Sequence, residues 1–229
     1  MPLDLAQPWN EQPIVVIDTE TTGVGADHAV VEIAAVRFEH GRVTAEYASL
    51  IDPQRDIPAD ATAVHGITAD MVRGKPTLED VAVDLFQIAQ DAAPCAYNAP
   101  FDRAFVHAAI AGTDCPAFDP GLSWIDVYEI VASPRIDKYV KGPGRLKLGN
   151  VCQRWQVELE GAHRALGDAR ATGKLPWCLF EQQRVKPVSL GRLLEHTDHM
   201  RAEHNADFAR WKARQSPTEL FSEETPREQ

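Results

Sequence analysis

Ile14-Val15-Val16-Ile17-Asp18-Thr19-Glu20-Thr21-Thr22-Gly23 decides how this chain is read. Four β-branched residues in a row, apolar at odd and even positions alike, predict a central strand buried on both faces. The strand is expected to end at Asp18, where a turn-rich loop from Thr19 to Gly25 begins. Asp18 and Glu20 then stand at the C-terminal end of a central strand, the edge where sites gather in open α/β sheets. Their i, i+2 spacing leaves both carboxylates on one side of an extended chain. A D-x-E at a strand end is common, so its placement is what makes the pair informative.

Outward from this stretch, residues 30–38 and 43–50 read as two further strands joined at His40-Gly41, which makes an antiparallel meander. Residues 52–71, with Pro53 and Pro58, read as loop. Residues 77–90 carry Leu78, Val81, Leu85 and Ile88 at helical spacing, with Thr77 as the N-cap. A short strand over 94–97 follows, then a helix begun by Asn98 and Pro100, with Phe101, Phe105 and Ala109 on one face. Residues 122–125 form another expected strand, ending at Asp126; residues 133–144, rich in proline and glycine, read as loop. Helices are expected over 146–155, 165–180 and 190–211. A meander followed by alternating helices and strands predicts a mixed sheet flanked by helices.

The 229 residues, 44% of them hydrophobic, suffice for one globular domain and an appendage. The expected division is a polar lead-in over 1–12, a domain over 13–182, and an extension over 183–229 that ends in a disordered acidic tail. No apolar run is long enough to cross a membrane, and the N-terminus has no secretory pattern. Cys95, Cys115, Cys152 and Cys178 form no C-x-x-C pair, which argues against a zinc cluster and for a reducing, cytoplasmic setting. The formal charge of −11 argues against a broad basic face that grips a long duplex or strand, and for weak, local binding directed at an end. Cationic candidates gather between Lys138 and Lys147.

Two further stretches carry chemistry. In Asn98-Ala99-Pro100-Phe101-Asp102, the asparagine caps a helix, and Asp102 either complements that helix's dipole or joins Asp18 at the sheet edge. In Gly161-Ala162-His163-Arg164-Ala165-Leu166-Gly167-Asp168, the histidine precedes a helix that carries the aspartate. An imidazole near neutrality suits a general base. Four converging carboxylates repel by about 4 kcal/mol per close pair at an effective dielectric near 20, so they require cations. All-oxygen ligands favour Mg²⁺ or Mn²⁺ over zinc, and two such ions suit a phosphodiester.

These motifs, in this order, resemble those of the DEDDh 3′→5′ exonucleases, and Val64-His65-Gly66-Ile67-Thr68 is similar to the family's intervening loop. The resemblance spans roughly residues 13–181. It implies a ribonuclease H-like fold with a five-stranded mixed sheet. It also implies two metal ions held by Asp18, Glu20, Asp102 and Asp168, with His163 as base. The terminal nucleotide would meet Thr21, Thr22, His65, Asn98 and Phe101. The implied substrates are single-stranded or unpaired 3′ ends of DNA or RNA. Asp126 reads as a support for the site or as a strand-end cap, and Glu32 as structural. An alternative reading makes the chain an accessory subunit whose extension binds a polymerase or sliding clamp. The stretch from Gln215 to Phe221 is faintly similar to a clamp-binding peptide, and a plain acidic tail competes with that view.

Overall fold

Alternation along one strand divides the core of the protein in two. In the computed structural model, which describes residues 3–25, 27–109, 118–119, 121–137 and 142–215, that strand is β1 (Ile14–Thr21). Ile14 and Val16 pack into one apolar cluster, Val15 and Ile17 into another on the opposite face. β2 (Val30–Glu39) and β3 (Arg42–Leu50) complete the antiparallel meander, while β4 (Ala93–Ala96) and β5 (Ile125–Asp126) add in parallel. The order is β3-β2-β1-β4-β5, a five-stranded mixed sheet flanked by helices, as expected. His40 (φ 49°) and Gly41 (φ 77°) both adopt positive φ, the backbone that a two-residue hairpin needs to match strand twist.

One face of the sheet is covered by α3 (Ala82–Ala89) and α4 (Ala99–Ala109), the other by α5 (Val127–Ala132), α7 (Leu148–Trp155) and α8 (Ala165–Glu181). α1 (Ala59–His65), α2 (Ala69–Val72) and α6 (Pro134–Asp137) are short. They correct the loops expected over 52–71 and 133–144. Each has two turns or fewer, too short to show apolar periodicity, and Gly66 (φ 73°) ends α1 at once.

β1 runs through Asp18 to Thr21, so the two acids lie within the strand, not in a loop after it. β5 is two residues long, shorter than the expected strand. Thr77 does cap, but over a turn ahead of α3: its hydroxyl accepts from Asp80 N–H, and the Asp80 carboxylate accepts from Thr77 N–H.

Both flanking segments fold onto the domain. The Trp9 indole donates to the Lys186 carbonyl at 2.9 Å, and Pro8 bridges to Ser189. α9 (Leu190–Gln215) sends Leu190, Leu193 and Leu194 into the same cluster as Trp9. Residues 216–229, with most of the clamp-like stretch and the acidic tail, lie outside the described residues, as do Lys138 and Cys115. No helix among the described residues is long and apolar enough to cross a membrane.

Candidate active site

The pleat of β1 sorts the functional side chains. Asp18 and Glu20 continue the alternation of Ile14 and Val16 and so face α8, which carries Asp168. One oxygen from each of Asp18, Glu20 and Asp168 falls within 4.8 Å of the others. Thr19 points to the opposite face, where α4 carries Asp102. There the Asp102 Oδ1 accepts from the Thr19 N–H at 2.9 Å and from its hydroxyl at 2.8 Å. Asp102 is thus held beside the trio by a threonine within the D-x-E motif.

Packing acids this closely makes ionisation costly. Burial, then the charges of Asp102, Asp168 and Glu20, push the Asp18 carboxyl well above the usual range. Burial pushes Glu20 up to about 7, helped by Asp168 and Glu32. Asp102 also reaches about 7, mainly from burial, although its bonds from Thr19 pull the other way. Asp168 is raised by burial and drawn back by the His163 ring and backbone N–H. Its Oδ1 is buried with no hydrogen-bond partner among the described residues. An orphaned carboxylate oxygen among hard oxygen donors fits a divalent cation.

The loop before α8 is locked in place by Glu32, which lies opposite Glu20 across the β1–β2 pair. Its carboxylate accepts from Arg164 Nη2 at 2.5 Å and Nε at 3.0 Å, and from the Ala165 N–H at 3.0 Å. An acid on the first amide of α8 complements the helix dipole and ties the Asp168 helix to β2. Glu32 therefore is structural, yet it stands beside the acids and not far from the sheet edge as its strand position suggested. Arg164 escaped the sequence reading, because neither its partner nor the β1–β2 register is visible in the motif.

Gly167 is the second lock. A Cβ there would lie 1.8 Å from the Glu160 carbonyl oxygen, so only glycine lets the 160–161 backbone cross the first turn of α8. Gly167→Ala is expected to cost about 1–3 kcal/mol in urea unfolding, with a fall in turnover because the His163 loop is pushed outward. Wild-type stability and turnover in this variant would refute that account.

His163 is exposed and has positive φ (63°), two residues after Gly161 (φ 62°). It lines a groove of about 780 Å³ together with Asp168, Asn98, Tyr128, Arg145 and Lys147. The other expected contacts are placed as follows. Phe101 is half-buried and edge-on to Phe105 at 5.2 Å, at the start of α4. His65 is buried, its Nδ1 accepting from Ile67 N–H at 3.0 Å, and burial lowers its pKa, so the ring is neutral. The Thr21 hydroxyl donates to the Gly23 carbonyl, and the Thr22 hydroxyl accepts from Ala29 N–H and meets the His28 ring. Both threonines thus shape the loop after β1. Asp126 caps α5 by accepting from Tyr128 N–H and also pairs with Arg201 of α9, a partner the sequence did not reveal.

The sequence pattern of the exonuclease family (RNase_T) matches residues 15–175. The chain belongs to the DEDDh exonucleases. The DNA polymerase III PolC-type of Oceanobacillus iheyensis is 32% identical over 203 residues, 86% of this chain and 13% of that protein. The 3′-5′ exonuclease DinG of Bacillus subtilis is 32% identical over 195 residues, 82% of this chain and 20% of that protein. Exonuclease X, solved in complex with 5′ overhanging duplex DNA, superposes with a TM-score of 0.61 at 25% identity, over 79% of this chain and 99% of that one. The mixed sheet is the ribonuclease H-like fold of these enzymes. The chain spans 13% of that DNA polymerase III, 20% of that DinG, and between 11% and 27% of the other most similar curated relatives.

Proposed function

We propose that this chain is a metal-dependent 3′→5′ exonuclease that releases 5′-mononucleotides from single-stranded or unpaired 3′ ends. The observation that carries the reading is the convergence of Asp18, Glu20 and Asp168, the last of which also lines the groove beside His163. Asp18, Glu20, Asp102 and Asp168 would hold two Mg²⁺ or Mn²⁺ ions, which supply positive charge and Lewis acidity toward a phosphodiester. His163, on its exposed loop, accepts the proton of the attacking water. The water oxygen bonds to the phosphorus of the terminal nucleotide, and the bond to the preceding 3′-oxygen breaks. That oxygen takes a proton from solvent, leaving a 3′-hydroxyl on the shortened strand.

Phe101 offers its ring to the terminal base, and Asn98 offers an amide at the groove. Neutral His65, with Thr21 and Thr22, would meet the terminal nucleotide from the β1 side. A terminal nucleotide must leave its neighbours to reach these groups, which favours unpaired ends.

The test is a time course on 3′- and 5′-labelled DNA and RNA of one sequence, with Mg²⁺, with Mn²⁺ and with neither. Stepwise shortening from the 3′ end, only with metal, is the expected result; no degradation under any condition would end this reading. His163→Ala is expected to lower kcat by about 10²–10⁴-fold, the usual worth of a general base, while metal still raises the melting temperature. A variant with wild-type kcat would remove His163 from the mechanism.

A further inference from the structure

α9 carries one continuous stripe. Leu190, Leu193, Leu194 and Thr197 are buried, Arg201 and His204 are half-buried, and Phe208 and Trp211 are exposed. Intervals of three and four residues place all of these on one face. The first part of the stripe fills the core and the middle part binds acids. The last part is exposed: Phe208 and Trp211 are 59% and 55% exposed, with rings 5.8 Å apart and 24° from parallel.

The middle part fixes where the helix leads. Arg201 Nη2 donates to Asp126 Oδ2 at 2.6 Å, and its Nε pairs with Glu129 Oε1 at 3.0 Å. Its guanidinium lies 5.2 Å from the centroid of Tyr128, on which the His204 ring stacks. Arg201 and Tyr128 also line the groove that holds His163 and Asp168. Phe208 and Trp211 follow Arg201 by seven and ten residues, so they lie about 10–15 Å along the helix from the groove wall. The helix is also less acidic than the chain as a whole, although Arg210 beside the rings pairs with Asp207. α9 has five Lys and Arg against four Asp and Glu, in a chain with 23 against 34.

We propose that Phe208 and Trp211 form a stacking platform for the single strand whose 3′ end occupies the groove. The inference rests on the exonuclease reading and adds a grip several nucleotides from the terminus. Every base has a π-face, so an exposed ring pair holds a strand without reading its sequence. α9 lies beyond residue 175, where the family match ends.

The test uses the full chain, a thymidine trimer, and a thymidine oligonucleotide of roughly 20 nucleotides. For Phe208→Ala/Trp211→Ala, KM on the long strand is expected to rise about tenfold, the effect of losing one base–ring stack. Turnover of the trimer stays unchanged, and Phe208→Tyr/Trp211→Phe, which keeps both rings, retains the wild-type KM. Anisotropy of the labelled long strand in EDTA, where nothing is hydrolysed, is expected to show the same weakening. Unchanged affinity for the long strand overturns the platform, as would be found if the rings serve a protein partner. So does an equal loss on the trimer, which would place the damage at the active site. Ring-dependent binding without hydrolysis by the wild type would leave the platform standing and defeat the exonuclease reading alone.

Discussion

Asp18→Asn is expected to abolish nucleotide release while making the metal-free protein more stable. The activity arm follows from position: Asp18 shares the trio with Glu20 and Asp168 and feels the charge of Asp102 as well. Losing its charge removes several kcal/mol of the electrostatic support a phosphodiester transition state needs, so kcat should fall by about 10³-fold or more. The stability arm follows from crowding. In the wild type these acids are raised by burial and by one another, and the cation of Arg164 is spent on Glu32. Asparagine keeps the shape and removes one charge from the cluster. Near pH 8 in EDTA, a gain of about 1–2 kcal/mol would move the melting temperature up by roughly 2–8 °C. Activity at wild-type level would sink the assignment of Asp18. A lower melting temperature would show that the cluster is not strained, and that its function is not bought with stability.

The sequence carried the fold where burial imposes a pattern. The doubly apolar run over Ile14–Ile17 could only be a central strand, and His40-Gly41 could only be a tight turn. It carried the candidate site because the chemistry restricts residue type: four acids and a histidine in order leave few readings, and Asp18, Glu20 and Asp168 do converge. What it did not carry are contacts between remote elements. Glu32 meets Glu20 through a register set across the loop over residues 22–29, and a bulge between Glu20 and Thr21 shifts it further. Arg164 reads as a surface cation until Glu32 is placed beneath it. The extension over 183–229 reads as polar, yet Arg201 reaches back to Asp126 and Glu129 across 75 and 72 positions of chain. Its three buried leucines are too few to reveal which surface they cover.

The same crowding predicts how metal and protons compete. Unfolded carboxylates titrate near 4, whereas Glu20 and Asp102 do so at about 7 in the fold. Between these values the folded chain keeps protons that the unfolded chain has released, so stability falls as pH rises and is lost through about pH 7. His65 and His107, held neutral by burial, act oppositely: their folded pKa values are depressed, so they weaken the fold as pH drops below about 6.5. The increment that metal adds isolates the site from these histidines. Mg²⁺ or Mn²⁺ at about 100 times its Kd should add about 2.7 kcal/mol, or roughly 5–10 °C, near pH 8. Near pH 6 protons occupy the same oxygens, and less than half of that increment should remain. Thermal scans with metal and with EDTA at both pH values measure it. An increment equal at the two pH values, or larger at the lower one, would mean that the ions bind away from Glu20 and Asp102. In Asp18→Asn the increment should nearly vanish at both, which ties the pH effect to the trio and not to the chain at large.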